Sequence, residues 1–226
     1  MRINMMKKVK TGSLILITFS LIIIFSCTSR DKVPSICPNE VKIGSNIWMT
    51  QNLNVDHFRN GDSIPEVKTD ADWKSYGEIG KPAWCYYNND PQNGQVYGKL
   101  YNWHAVADPR GLAPVGWHVA SDSEWTELVI NLGGIENAGY KMKTTFGWNL
   151  GGNGNNSSCF TGLPGGGRDE FGNFDNIRAA EYADFWTSTS LDSARSYKRN
   201  LYYQIYAVGR LPEGVGYGLS VRCIKD

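Results

Sequence analysis

The chain has 226 residues, a net charge of +1, 25 glycines, eight tryptophans and twelve tyrosines. So even a charge balance excludes the basic footprint of a nucleic-acid binder and the polybasic patch that holds an anionic membrane surface. The length suits one domain with a sizeable core.

The first residues form a leader. Arg2, Lys7, Lys8 and Lys10 precede an apolar stretch over 14–25, too short to span a bilayer as a helix. It ends in "IFSC", with small Ser26 before Cys27, which is similar to the bacterial lipobox. Residues 1–26 are expected to be a lipoprotein signal peptide, Cys27 the lipidated residue, 27–38 a tether and 39–226 one domain. The membrane is then a partner through the N-terminal lipid. The expected location is the outer membrane of the cell envelope, with the facing side open.

Beyond the tether the text is dense in aromatic residues, asparagine and glycine, which favours short strands, turns and ordered loops over helices. "VKIGSNIWMTQNL" predicts two strands about a turn at 44–46. Residues 99–108 fit a short helix or a strand. Residues 200–208 and 217–224 alternate, and predict a C-terminal hairpin about the turn residues between them. The segment 148–174, with eight glycines, predicts loop.

One helix is clear, near 122–132. Ser121 and Glu124 have capping-box spacing, and Trp125, Leu128, Val129 and Leu132 recur as one apolar stripe before Gly133 and Gly134. "GWHVASDSEW" gathers the residue types of a hydrolase site, yet each polar residue except His118 has a structural task in starting that helix. His118 reads as a structural residue on a short strand. No H-E-x-x-H or G-x-S-x-G is present, so no catalytic residue is assigned.

Cys37, Cys85, Cys159 and Cys223 in an exported chain predict up to two disulfides, with three possible connectivities. No two are close enough for a C-x2-C metal pair, and no metal site is expected from them.

"VKIGSNIWMTQNLN", "YGKLYNWHAV", "LAPVGWHVASDSEWTEL", "LPGGGRDEFGNF", "FWTSTS" and "GLSVRCIKD" together resemble the Fibrobacter succinogenes major paralogous domain, found in Bacteroidetes and Fibrobacteres lipoproteins. The resemblance covers 41–226. That family is distantly similar to the formylglycine-generating, sulfatase-modifying group, which implies an α+β, C-type-lectin-like fold with short antiparallel strands and long ordered loops. The oxidases of that group use a pair of cysteines near the C-terminus, where this chain has only Cys223. The remote oxidase alternative therefore lacks its reactive pair, and the chain is expected not to be an enzyme. Cys159 stands where the family pattern usually has glycine, and Cys37 is not a typical position. That departure implies a Cys37–Cys159 disulfide, with Cys85–Cys223 following from it.

For ligand binding the expectation falls on the loop 148–175. Trp148 would supply an aromatic face, Asn155 and Asn156 amides, Arg168 a cation, and Asp169 and Asp175 carboxylates. Such a set suits a glycan, whose apolar ring face stacks while its hydroxyls hydrogen-bond. Asp169, Asn173 and Asp175 are weak calcium candidates, since the loop lacks EF-hand order, and Asx turns compete for the same residues. Trp48, Trp103, Trp117, Trp125 and Trp186 are expected in the core; Trp84, Tyr86, Tyr87 and Trp148 lie beside Asn- and Gly-rich loops, where packing under the loops is favoured over partial exposure to a sugar ring. The alternative to a glycan-binding module is a structural module that binds another envelope protein.

Overall fold

The computed structural model describes residues 37–174 and 180–226. The leader, Cys27, most of the tether and Asp175 lie outside the described residues.

β1 (Glu40–Ile43) and β2 (Asn46–Met49) form the expected hairpin, turning at Gly44 with φ +63°. β2 pairs with β10 (Cys223–Lys225), and β10 with β5 (Trp117–Val119), so the sheet order is β1-β2-β10-β5. The two ends of the domain thus flank β2 in one sheet. β3 (Trp84–Cys85) and β4 (Leu100–Tyr101) make a small ladder. A second four-stranded sheet has the order β8-β7-β6-β9, from β6 (Tyr182–Ser190), β7 (Arg195–Tyr202), β8 (Val208–Gly214) and β9 (Ser220–Val221). The β6–β9 pairing is parallel and the others are antiparallel.

This corrects the expected C-terminal hairpin. The turn-like residues 209–214 are themselves strand β8, paired with β7 through Arg199↔Arg210 and Tyr197↔Pro212. β8 is an edge strand, where Pro212 forfeits no ladder bond on its open side. Glycine and proline therefore mark an edge here, and the turn falls at 203–207.

There are five helices among the described residues: α1 (Asp70–Glu78), α2 (Pro91–Tyr97), α3 (Trp103–Val106), α4 (Asp122–Asn131) and α5 (Ile135–Met142). α4 is the predicted one, with its Ser121–Glu124 capping box formed. The short helices were not legible as apolar stripes, because each buries only one to three residues. Caps hold three of them: Thr69, Asp90 and Asn102 each accept from a first-turn amide. Within α2, Gly94 is required by close approach, since a Cβ there would lie 2.1 Å from the Tyr86 ring.

The largest core cluster joins the sheets through α4. Trp48, Trp125, Phe160 and Phe185 meet at ring separations of 5.2–5.8 Å, mostly edge-to-face. Trp186 is also fully buried, in a second cluster with Tyr101 and Cys223, whereas Trp103 and Trp117 are only partly buried. A third cluster holds Trp73, Tyr87, Leu100 and Cys85.

Cys37 and Cys159 are joined. The Cys85–Cys223 bond is not formed, which corrects that expectation. Each of these thiols is packed as a small apolar group in a different cluster, and burial pushes both up to about 12.

Three buried cations order the long loops. Lys143 Nζ donates to the carbonyls of Tyr202, Tyr203 and Ile205. Arg168 donates to those of Val67, Lys68 and Gly172. Arg222 donates to those of Met49, Phe160 and Thr161 and to Asn52 Oδ1. Irregular backbone leaves carbonyls without ladder partners, and buried carbonyls must be satisfied. Long cationic side chains supply the donors here.

Candidate functional site

The structure disperses the ligand residues expected on the long loop. Trp148 is buried, not exposed: its Nε1 donates to Thr144 Oγ1 and the Gly162 carbonyl. Asn155 is exposed, with its Oδ1 accepting from the Ser157 amide. Asn156 is engaged with Thr161 and faces the Cys37 sulfur at 3.6 Å. Arg168 has no exposed surface; its guanidinium is consumed by the three carbonyls and by Asp70 Oδ1 at 3.0 Å. A fully bonded, buried guanidinium holds the loop and does not meet ligand. Trp84 and Tyr87 are buried as well, packed under their loops, while Tyr86 is half-buried.

Asp169 makes the Asx turn. Its Oδ1 accepts from the amides of Phe171 and Asn173 at 2.9 and 2.7 Å, and its Oδ2 accepts from Asn173 Nδ2. A carboxylate so employed has little left for calcium. Among the described residues no three His, Cys, Asp or Glu side chains gather around a point where a metal could sit.

What that turn does is present the next two residues. Glu170 and Phe171 stand at its tip, exposed, above the rigid base formed by Arg168. They form one wall of a cleft of about 480 Å³. The opposite wall is the C-terminal half of α1, with Lys74, Gly77 and Glu78; the Val215–Gly216 backbone and His104 of α3 also line it. Gly77 and Gly216 bring the two walls' backbones together, since a Cβ on Gly77 would come within 3.1 Å of Gly216 Cα. Trp73 fastens this junction by donating to the Gly216 carbonyl at 3.0 Å.

His104 is oriented by the same helix. Its Nε2 lies 3.0 Å from the Gly77 carbonyl, which can only accept, so Nε2 carries the proton and Nδ1 of the neutral ring is an acceptor. Lys74 and Glu78 pair along α1. The cleft thus offers one exposed aromatic face, carboxylates, an ammonium, an imidazole and peptide edges. Composition gave no signal for Lys74, Glu78 or His104, because α1 itself was not legible and His104 sits inside an apolar motif string.

Residues 41–225 match the family model described as the Fibrobacter succinogenes major domain. The chain belongs to that family. No curated protein and no solved structure matches it. The Fibrobacter succinogenes major domain here runs from β1 to β10, the two strands that close against β2 in one sheet. Its boundaries therefore coincide with a structural unit, and both cleft walls belong to it. Among the described residues no helix is long and apolar enough to cross a membrane.

Proposed function

We propose that this domain is a non-catalytic glycan-binding module, built on a C-type-lectin-like scaffold and carried in the outer membrane by a lipid on Cys27. The observation that carries the binding reading is the cleft between Phe171 and α1. An exposed phenyl ring flanked by Glu170, Glu78 and His104 matches a pyranose, which offers one apolar face and a rim of hydroxyls. Both walls are fixed by buried hydrogen bonds, so little ordering cost accompanies binding. The scaffold likeness is supported by the first and last strands flanking β2 in one sheet and by the long loop that follows α5. The thiols argue only against the oxidase alternative: Cys85 and Cys223 are buried in different clusters, unlike the close reactive pair of the oxidases.

A glycan array probed with the soluble domain tests this, followed by titration of any hit. Phe171→Ala and Glu170→Gln should each weaken binding about tenfold or more, equivalent to about 1.4 kcal/mol, with an unchanged melting temperature. Chelation of calcium should leave affinity unaltered. A blank array would favour the protein-interaction reading, and wild-type affinity in both variants would move the site away from this cleft.

A further inference from the structure

Five large apolar side chains stand exposed on two loops and the helix beside them. Leu150 is 81% exposed, and Phe146, Tyr206, Ile205 and Tyr140 are between 38 and 63% exposed. Three of them form one patch: the Tyr140 and Tyr206 rings lie 4.7 Å apart, and Leu150, Tyr203 and Tyr206 line one shallow groove of about 430 Å³. Leu150 is held at φ +44°, a left-handed conformation that is costly for leucine, to stand there. The two loops carry no charge: residues 144–167 and 200–209 contain no Asp, Glu, Lys or Arg. The one cation beneath, Lys143, is buried and bonded to three carbonyls.

The Cys37–Cys159 bond determines where the tether meets the domain. Cys159 follows a segment laid against the end of α5, with the amides of Asn155, Asn156 and Ser158 donating to the carbonyls of Tyr140, Lys143 and Lys141. The tether therefore joins the domain beside Tyr140, inside the uncharged run. Nine residues lie between Cys27 and Cys37, at most about 35 Å of extended chain from one to the other. A compact domain of about 190 residues has a radius of gyration of about 16 Å, so the path around it to the far side is roughly 60 Å. A lipid on Cys27 keeps the near side against the bilayer and leaves the far side out of reach.

We propose that the Tyr140–Leu150–Tyr206 face rests in the interfacial layer of the membrane that receives the Cys27 lipid. The occupant of this face is thus a phospholipid surface. Tyrosine rings suit that layer, and the two loops bring no Asp, Glu, Lys or Arg of their own; the Glu181 carboxylate, which accepts from Asn149 Nδ2, marks the edge of the face. The proposal rests on the lipid-anchor reading. It adds to the acyl anchor an apolar face that sets how the domain sits on the bilayer.

The test uses the full lipoprotein in phosphatidylcholine vesicles, with benzoylphenylalanine at position 150 or, as a control, at Leu191. Leu191 follows the far end of β6 from Tyr182, about 25 Å along the strand. Acyl mass on Cys27 is measured first. Irradiation should cross-link position 150 to phospholipid at least fivefold more than position 191. Equal yields on an acylated chain, or cross-links from 150 to protein, overturn the proposal. An unacylated Cys27 overturns the anchor reading and the proposal with it. Should the position-150 variant fail to fold, Ile205 carries the probe with the same expectations.

Discussion

Arg199 of β7 donates from Nη2 to Asp122 Oδ1 at 2.6 Å and to the Asp122 carbonyl at 2.7 Å, pinning the first turn of α4 to the second sheet. Both side chains are buried, and Arg210 Nε closes the other carboxylate oxygen at 2.7 Å. Removing the acid leaves Arg199 buried without its counter-charge. Asp122→Ala should therefore cost about 3–5 kcal/mol, read as a lower urea midpoint at constant slope. Arg199→Met in the same chain should recover part of that loss. A single variant as stable as wild type would mean that the pair contributes nothing.

His118 predicts a pH dependence. Burial pulls its pKa down, but hydrogen bonds to Glu124 Oε1 and Asp226 Oδ1, each 2.8 Å, outweigh that and raise it above 6.5. The folded state then holds the proton more tightly than the unfolded chain. This stabilisation is fully present below pH 6.5 and is lost as pH rises through the raised value. Melting temperature from pH 5.5 to 8.5 should fall more steeply in wild type than in His118→Gln. Parallel profiles would show that the two carboxylates do not hold the imidazolium.

Thiol accounting separates the two cysteine classes. In the native chain without reductant, iodoacetamide should label neither Cys85 nor Cys223, because both are buried and their thiolates are disfavoured. In guanidinium without reductant those two should react, and Cys37 and Cys159 only after reduction. Reduction should also destabilise, by up to about 5 kcal/mol on loop-entropy grounds. A disulfide peptide containing Cys85 would contradict the structure.

Trp148 is a structural residue and not a ligand platform. Its ring is buried beside Lys143 Nζ, 5.2 Å from the centroid, and its indole N–H is satisfied within the loop. Trp148→Ala should cost roughly 3–5 kcal/mol as a core truncation. Trp125→Ala should cost a similar amount from the main cluster. Thermal melts of both would decide it, and a Trp148 variant with wild-type stability would return that ring to the surface.

The sequence by itself determined the features that local chemistry dictates. Ser121, Glu124 and the Trp125–Leu132 stripe specify α4, because capping and 3.6-residue periodicity are read within a dozen residues. Gly44 marks the first hairpin for the same reason, and six ordered motif strings identify the family. The unusual positions of Cys37 and Cys159 even implied their bond. What only the tertiary structure decided depends on partners far apart in the chain. Residues 209–214 look like a turn, and become an edge strand because β7 is there to pair with them. Trp148 and Arg168 look like ligand residues, and are buried because Gly162 and Val67 offer carbonyls that need donors. The cleft joins α1, His104 and the Asp169 turn, which are spread over a hundred residues of sequence, and it exists because Gly77 and Gly216 allow two backbones to touch. Periodicity carries no record of such approaches, since each depends on what the rest of the chain brings to it.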